Sequence, residues 1–184
     1  YKEIHQTCER LIEQEGVGNI YSGERSVVPI FYNMNNEFER FVGNLFSKYY
    51  EKPNWVKTYK TTDISWNREI QGSKNMRPDI IIQDDDGNVK QIIDVKHKDH
   101  ELTVGDLYQI GFYMHEYGKN IELDHAFAIL PESDNVSDET YTSTRKGKKV
   151  HQRTLNVVEC LEMIKENDDE GLRNVVKNLI KITF

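Results

Sequence analysis

Cysteine is nearly missing from this chain. Its two thiols, Cys8 and Cys160, lie far apart and form no CxxC pair. That excludes a disulfide framework and a four-thiolate zinc or iron–sulfur centre, and it fits a reducing compartment. Long apolar runs are lacking too. No stretch approaches the roughly 18 apolar residues of a membrane span, and no signal-peptide pattern is visible. The expected location is the cytoplasm. There is no Gly-rich phosphate loop of the GxxxxGK[ST] type, so nucleotide hydrolysis is not expected of this chain. Positive charge is also short: 24 Lys and Arg stand against 31 Asp and Glu, a net charge of -7. Taken over the whole chain, this counts against a bulk electrostatic nucleic-acid binder.

What is present is 184 residues, enough for one domain that buries on the order of 70% of its unfolded surface. The chain opens on Tyr1 rather than Met, so further protein is expected upstream. Charge is unevenly spread. "ESDNVSDE" (132–139) is acidic, whereas "STRKGKKVHQR" (143–153) is basic and holds no acid. Arg145, Lys146, Lys148 and Lys149 are therefore candidate phosphate contacts, with an ordinary solvated loop as the plainer reading.

Periodicity predicts the elements. Residues 1–15 place Ile4, Cys8, Leu11 and Ile12 at helical spacing, and 16–29 form a Gly-rich connection. In 33–52, Phe38, Phe41, Val42, Leu45, Phe46 and Tyr49 follow the i, i+3, i+4, i+7 rule; Asn residues precede them and Pro53 follows. "WVKTYKT" and "DISWNREI" are strand-like, ended by "QGSKN". Asp79–Gln83 and Val89–His97 read as a hairpin around "DDDGN", with Gly87 suited to positive φ. Thr103–Tyr117 reads as a helix with Thr103 as cap and Asp106 three residues on. "HAFAILP" (125–131) is a short buried strand, "RTLNVVE" a further strand, and "DEGLRNVVKNLIKI" an amphipathic helix. The order predicts an α/β fold with a mixed sheet, in which the second hairpin strand, the helix and "HAFAILP" form a βαβ unit. Residues 1–30 are taken as a helix and connecting segment, and 31–184 as the compact domain.

Chemistry concentrates in the hairpin. Alternation along Val89–His97 puts Lys90, Ile92, Asp94, Lys96 and Lys98 on one face, with Asp94 and Lys96 about 7 Å apart. The turn brings Asp79 alongside. Two converging carboxylates beside an ammonium suit a hard divalent cation such as Mg²⁺, and the Val95 carbonyl offers a further oxygen. Lys96 can then orient the attacking water or steady charge on phosphorus. Read alone, an exposed Asp–Lys pair is worth little and D-x-K is a common string. On the 33–52 helix, Glu39 lies about 80° from the centre of the apolar face and Glu37 about 120°, so Glu39 is the acid that can reach inward. Gln109 and Tyr113, four apart, stack on one face of their helix.

Glu39 in "NEFERF", Asp79 in "RPD", Asp94 and Lys96 in "DVK", and Gln109 and Tyr113 in "QIGFY" together resemble the PD-(D/E)XK nuclease superfamily. Their order over residues 30–131 most resembles the nuclease domain of McrC, the cleaving subunit of McrBC-type modification-dependent restriction systems. The resemblance implies a restriction-endonuclease-like core and Mg²⁺-dependent hydrolysis of DNA, with Mn²⁺ able to substitute. It implies that Asp79, Asp94 and Glu39 hold one or two metal ions and that Lys96 positions the water. Gln109 and Tyr113 would support the site or touch the DNA backbone. The implied partners are double-stranded modified DNA and an McrB-like AAA+ GTPase, docked through a region outside these residues. Lys98, just beyond the motif, is a candidate phosphate contact. His97 points away from Lys96 by alternation and is left out of the site. Two other readings stand beside this one. The first is a freestanding RecB-like or Cas4-like exonuclease or resolvase, disfavoured in its Cas4 form by the lack of four cysteines. The second is a DNA-binding or assembly module on a nuclease fold. "DDDGN" fails as a calcium loop, because isoleucines fall where the first and last ligands are needed. His5 and Cys8 share a helix face but lack two further ligands.

Overall fold

The computed structural model describes residues 33–58, 64–67, 73–118 and 123–182. The expected helix at 1–15 and the connection at 16–29 lie outside these residues. The first described helix is α1 (Met34–Tyr49), followed by a 3₁₀ turn at Pro53–Trp55. Strands β1 (Val56–Thr58), β2 (Ile64–Asn67), β3 (Ser73–Met76), β4 (Ile80–Gln83) and β5 (Val89–Val95) come next. Helix α2 (Val104–Tyr117) crosses to β6 (His125–Pro131). The hairpin β7 (Glu139–Thr142) and β8 (Lys149–Leu155) leads into helices α3 (Val157–Glu166) and α4 (Asp169–Leu179).

Six strands form one mixed sheet in the order β1-β4-β5-β6-β8-β7, and β2 and β3 pair separately. β1, β4 and β5 run antiparallel, β5, β6 and β8 parallel, and β7 antiparallel to β8. The α/β class, the mixed sheet and the β5–α2–β6 crossover are as the sequence predicts. Alternation sorts the strand side chains onto two faces. Ile80, Ile82, Ile93, Val95, Phe127, Ile129 and Leu155 pack under α1, α3 and α4. Ile81, Ile92, Ala126, Ala128, Leu130 and Val150 pack under α2 with Ile110, Tyr113 and Met114. A sheet covered on both faces explains the unbroken apolar run of β4, since neither parity faces water. Each fully buried isoleucine there contributes about 1.5–3 kcal/mol.

Several expectations change. "QGSKN" does not simply end a strand: its Ser73–Asn75 portion belongs to β3, in register with Ser65–Asn67 of β2. β5 ends at Val95 rather than His97, although the Lys96 N–H still donates to the Ile129 carbonyl at 2.9 Å. The register slips between Ile82 and Gln83, which face Gln91 and Val89 in turn. Lys90 is thus the extra residue of a bulge, and Val89, not Lys90, shares the α2 face with Ile92. β8 begins at Lys149, inside the basic strip, and ends at Leu155. Asn156 then caps α3, its Oδ1 accepting the Glu159 N–H at 2.9 Å, so "NVVE" is helical despite its β-branched residues. β7 was not foreseen; its residues are mostly exposed and it is an edge strand. No described helix is long and apolar enough to cross a membrane.

Candidate active site

The hairpin turn fixes the register that builds the site. Asp84 Oδ1 accepts the Asp86 and Asn88 N–H groups at 3.1 and 2.8 Å, and Gly87 takes φ +85°. Lys90 pairs with Asp84 at 2.9 Å. Asp85 accepts the Trp55 Nε1–H at 3.0 Å, so two of the turn's acids have partners away from the metal-ligand candidates. With Ile80 opposite Ile93, the next step places Asp79 opposite Asp94, on the face that α2 covers. Cross-strand neighbours of this kind have Cβ atoms about 5 Å apart. Asp79 Oδ2 accepts the Val95 N–H at 2.6 Å, which fastens its carboxylate to the end of β5. On the other side of Asp94 stands Ala128, whose small side chain adds little bulk beside it.

Asp94 is 1% exposed. Its Oδ2 pairs with Lys96 Nζ at 2.7 Å. Burial pushes the Asp79 carboxyl far above the ordinary range, and the charge of Asp94 pushes it further. Burial likewise raises Asp94, against the pull of Lys96. Two neighbouring buried acids that resist ionisation would both be favoured in their charged form by a further cation beside them. The donor set suits a hard divalent ion, which takes one or two carboxylates plus water. Among the described residues no three acid, imidazole or thiolate groups come together in one coordination sphere. Asp79 and Asp94 form the pair, and Glu39 stands outside it. Glu39 is half-buried on α1; burial raises its carboxyl, Arg77 and Lys96 oppose the rise, and Asp94 adds to it. It shares the site's field from the other face of the sheet.

Lys96 is held from three sides. Besides Asp94, its Nζ donates to Gln109 Oε1 at 2.9 Å and lies 3.9 Å from Asp106 Oδ1. Burial disfavours its charge, but Asp94, Asp79 and Asp106 more than compensate, so it stays firmly protonated. Gln109 Nε2 in turn donates to the Tyr113 hydroxyl at 2.9 Å. The helical i, i+4 stack thus works as a relay: buried Tyr113 orients the amide, and the amide oxygen faces the ammonium. Burial raises the Tyr113 hydroxyl, with the Gln109 hydrogen bond opposing. His97 lies on the Phe38 ring of α1, centroids 5.7 Å apart, away from Lys96 as alternation requires.

α2 reaches the site because its start is doubly anchored. Thr103 Oγ1 accepts the Asp106 N–H, and Asp106 accepts the Thr103 N–H, a complete capping box. The Leu102 N–H donates to Gln152 Oε1 at 2.9 Å, and Gln152 Nε2 donates to the Ser137 carbonyl at 2.7 Å. Gln152 is fully buried and stands in the same cross-sheet row as Asp94 and Ala128. Sequence reading passed over it. A polar residue at an inward strand position was the available signal.

The candidate DNA contacts do not gather at this site. Val95, Ile129 and Arg153 share one level across the sheet, whereas Lys149 lies level with His125. Four residues along β8 make about 13 Å. Arg145, Lys146, Lys148 and Lys149 therefore sit at the opposite end of the parallel strands, and Lys148 Nζ is taken by the Leu123 carbonyl at 2.8 Å. Lys98 is near the site, but it is largely covered and paired with Asp106.

A family profile described as McrBC 5-methylcytosine restriction system component matches residues 1–124. Among solved structures, the chain is similar to a chain in a half-complex of Thermococcus gammatolerans McrB AAA+ hexamers with bound McrC. The TM-score is 0.57 at 17% identity, with 82% of this chain and 34% of that chain covered. This likeness speaks for the fold, and the present chain spans about a third of its neighbour's length. A search of curated proteins finds no match. With two thirds of its length matched and the McrC-type motif order in place, the chain belongs to the McrBC 5-methylcytosine restriction system component family.

Proposed function

We propose that the chain is a metal-dependent DNA endonuclease, the cleaving component of an McrBC-type restriction system. The observation that carries this reading is the strand-end pair Asp79 and Asp94, with Lys96 clamped between Asp94 and Gln109. Asp79 and Asp94 would hold Mg²⁺ or Mn²⁺, with the Val95 carbonyl as a further oxygen and Glu39 acting through its charge or through water. Such an ion, when bound, polarises a phosphoryl oxygen and acidifies its water. Lys96, kept protonated by three acids, donates hydrogen bonds to the water or to the phosphorane oxygens and holds them in line. Gln109 and Tyr113 fix its direction. The family description points to methylated DNA as the substrate. The McrB hexamers bound to McrC in the similar structure point to an AAA+ GTPase partner.

The test is nicking of methylated supercoiled plasmid by excess protein, alone and with the partner GTPase, in Mg²⁺, Mn²⁺ or EDTA. The expected result is open-circular DNA in either metal and none in EDTA. Cleavage that persists in EDTA, or no cleavage under any of these conditions, sinks the proposal.

A further inference from the structure

The Asp106 carboxylate collects more partners than a helix start requires. Its Oδ2 accepts the Thr103 N–H at 2.8 Å and the Thr103 hydroxyl at 2.6 Å, and it also pairs with Lys98 Nζ. Its Oδ1 lies 3.9 Å from Lys96 Nζ. The side chains of Asp106 and Lys98 are 13% and 16% exposed. Neither is an ordinary surface charge. Burial works to raise the Asp106 carboxyl, yet hydrogen bonds from Lys98 and Thr103 bring it down to about 2, so it is fully ionised at neutral pH. Capping itself needs no charge: a neutral oxygen at this position can accept the Thr103 N–H, and Thr103 Oγ1 meets the Asp106 N–H on its own.

The charge is explained by the lysines. Lys96 and Lys98 lie two residues apart next to the positive end of α2, and their ammonium groups would repel each other without an acid between them. We propose that Asp106 is a positioning residue: it holds Lys96 against Asp94 and takes up the charge of Lys98, ordering the catalytic ammonium at the expense of DNA affinity. The proposal rests on the nuclease reading and adds a residue to it. Its signature is a split. Removing the Asp106 charge frees Lys98 to meet a phosphate while loosening Lys96, so binding and cleavage move in opposite directions. A residue needed only for folding would weaken both.

Asp106→Asn tests this, because the amide keeps an acceptor for Thr103 and lacks the charge. Binding of a labelled duplex in EDTA, across a salt series, should be severalfold tighter at low salt, with a slope steeper by about one released counterion. Single-turnover cleavage in Mn²⁺ should slow on the order of tenfold. Unchanged or weaker binding overturns the proposal, as does cleavage at the wild-type rate. Lys98→Gln added to Asp106→Asn should return the affinity to the wild-type value while cleavage stays slow. Affinity that remains raised in the double variant, or falls below wild type, also overturns it. Should Asp106→Asn fail to fold, the double variant carries the test, since it removes both charges together. A wild-type protein that never cleaves refutes the nuclease reading; the binding comparison then still decides whether Asp106 masks Lys98.

Discussion

The two strand-end acids make the metal-free fold less stable than it would be without them, and Asp79→Asn measures by how much. Asp79 faces Asp94 across the hairpin, with Cβ atoms about 5 Å apart. Two negative charges at that distance repel by about 3 kcal/mol at an effective dielectric constant of 20. Asparagine removes the charge and keeps an oxygen for the Val95 N–H, which Asp79 accepts at 2.6 Å. In EDTA at pH 8 the variant should therefore unfold at a temperature roughly 5–10 °C above wild type, for a stabilisation of about 2–3 kcal/mol. The pH dependence fixes the cause. The Asp79 carboxyl is raised in the folded protein to about 8, mainly by burial and then by Asp94. Its folded state thus binds a proton more tightly than its unfolded state, so the penalty is absent below the unfolded value of 3.8, grows as pH rises and is complete above about 8. At pH 5 wild-type Asp79 is protonated when folded but ionised when unfolded, so the greater part of the variant's advantage should be gone, and the rest should vanish only below about 3.8. Mn²⁺ should raise the melting point of the wild type and leave the variant almost unmoved. A variant that is less stable than wild type in EDTA at pH 8, or equally advantaged at pH 5 and pH 8, would refute the reasoning.

Two further outcomes follow from residues outside the carboxylate pair. Thr103→Ala removes the side-chain acceptor of the α2 capping box, and chemical denaturation should show a loss of about 1 kcal/mol; no loss would mean that the Gln152 anchor at Leu102 alone sets the start of α2. His151 is buried against Phe127, bonded to His125 at 2.8 Å and to Thr140 Oγ1 at 2.9 Å, and burial, then Arg153, His125 and Lys149, lower its pKa to about 4. Its neutral form is the one that fits, so its contribution is complete above about pH 6.5 and is lost as pH falls toward 4. His151→Gln should flatten the loss of stability between pH 7 and pH 4.5 by roughly 2–3 kcal/mol relative to wild type; parallel pH profiles would show that His151 does not titrate on unfolding.

The chemistry of the site was more legible in the sequence than its surroundings. Asp79, Asp94 and Lys96 are tied together by a hairpin whose turn residues set the register, so alternation alone brings them to one face. Gln109 and Tyr113 meet by helical spacing within one element. Such relations are local, and local patterns carry them. What pairing across the sheet decides was not legible. The polar segment Ser73–Met76 is a strand because β2 lies beside it, not because of its own propensity. "NVVE" looks extended until the Asn156 cap and the packing of Cys160 make it the start of α3. The basic strip could be read as charge but not as position, since only the parallel register of β6 and β8 sends it to the far end of the sheet. Asp106 was visible as a cap, but its second task depends on the loop from Lys96 to Thr103 folding back on α2.

The most direct measurement is single-turnover cleavage of methylated duplex DNA in Mn²⁺, with the partner GTPase supplied, by wild type, Asp94→Ala and Lys96→Ala. Circular dichroism and DNA binding in EDTA check that each variant is folded. Both variants should lose cleavage by at least about a hundredfold while still binding DNA, because one removes the buried carboxylate and the other the ammonium clamped against it. Cleavage by folded Asp94→Ala and Lys96→Ala at the wild-type rate would contradict the account and place the chemistry elsewhere.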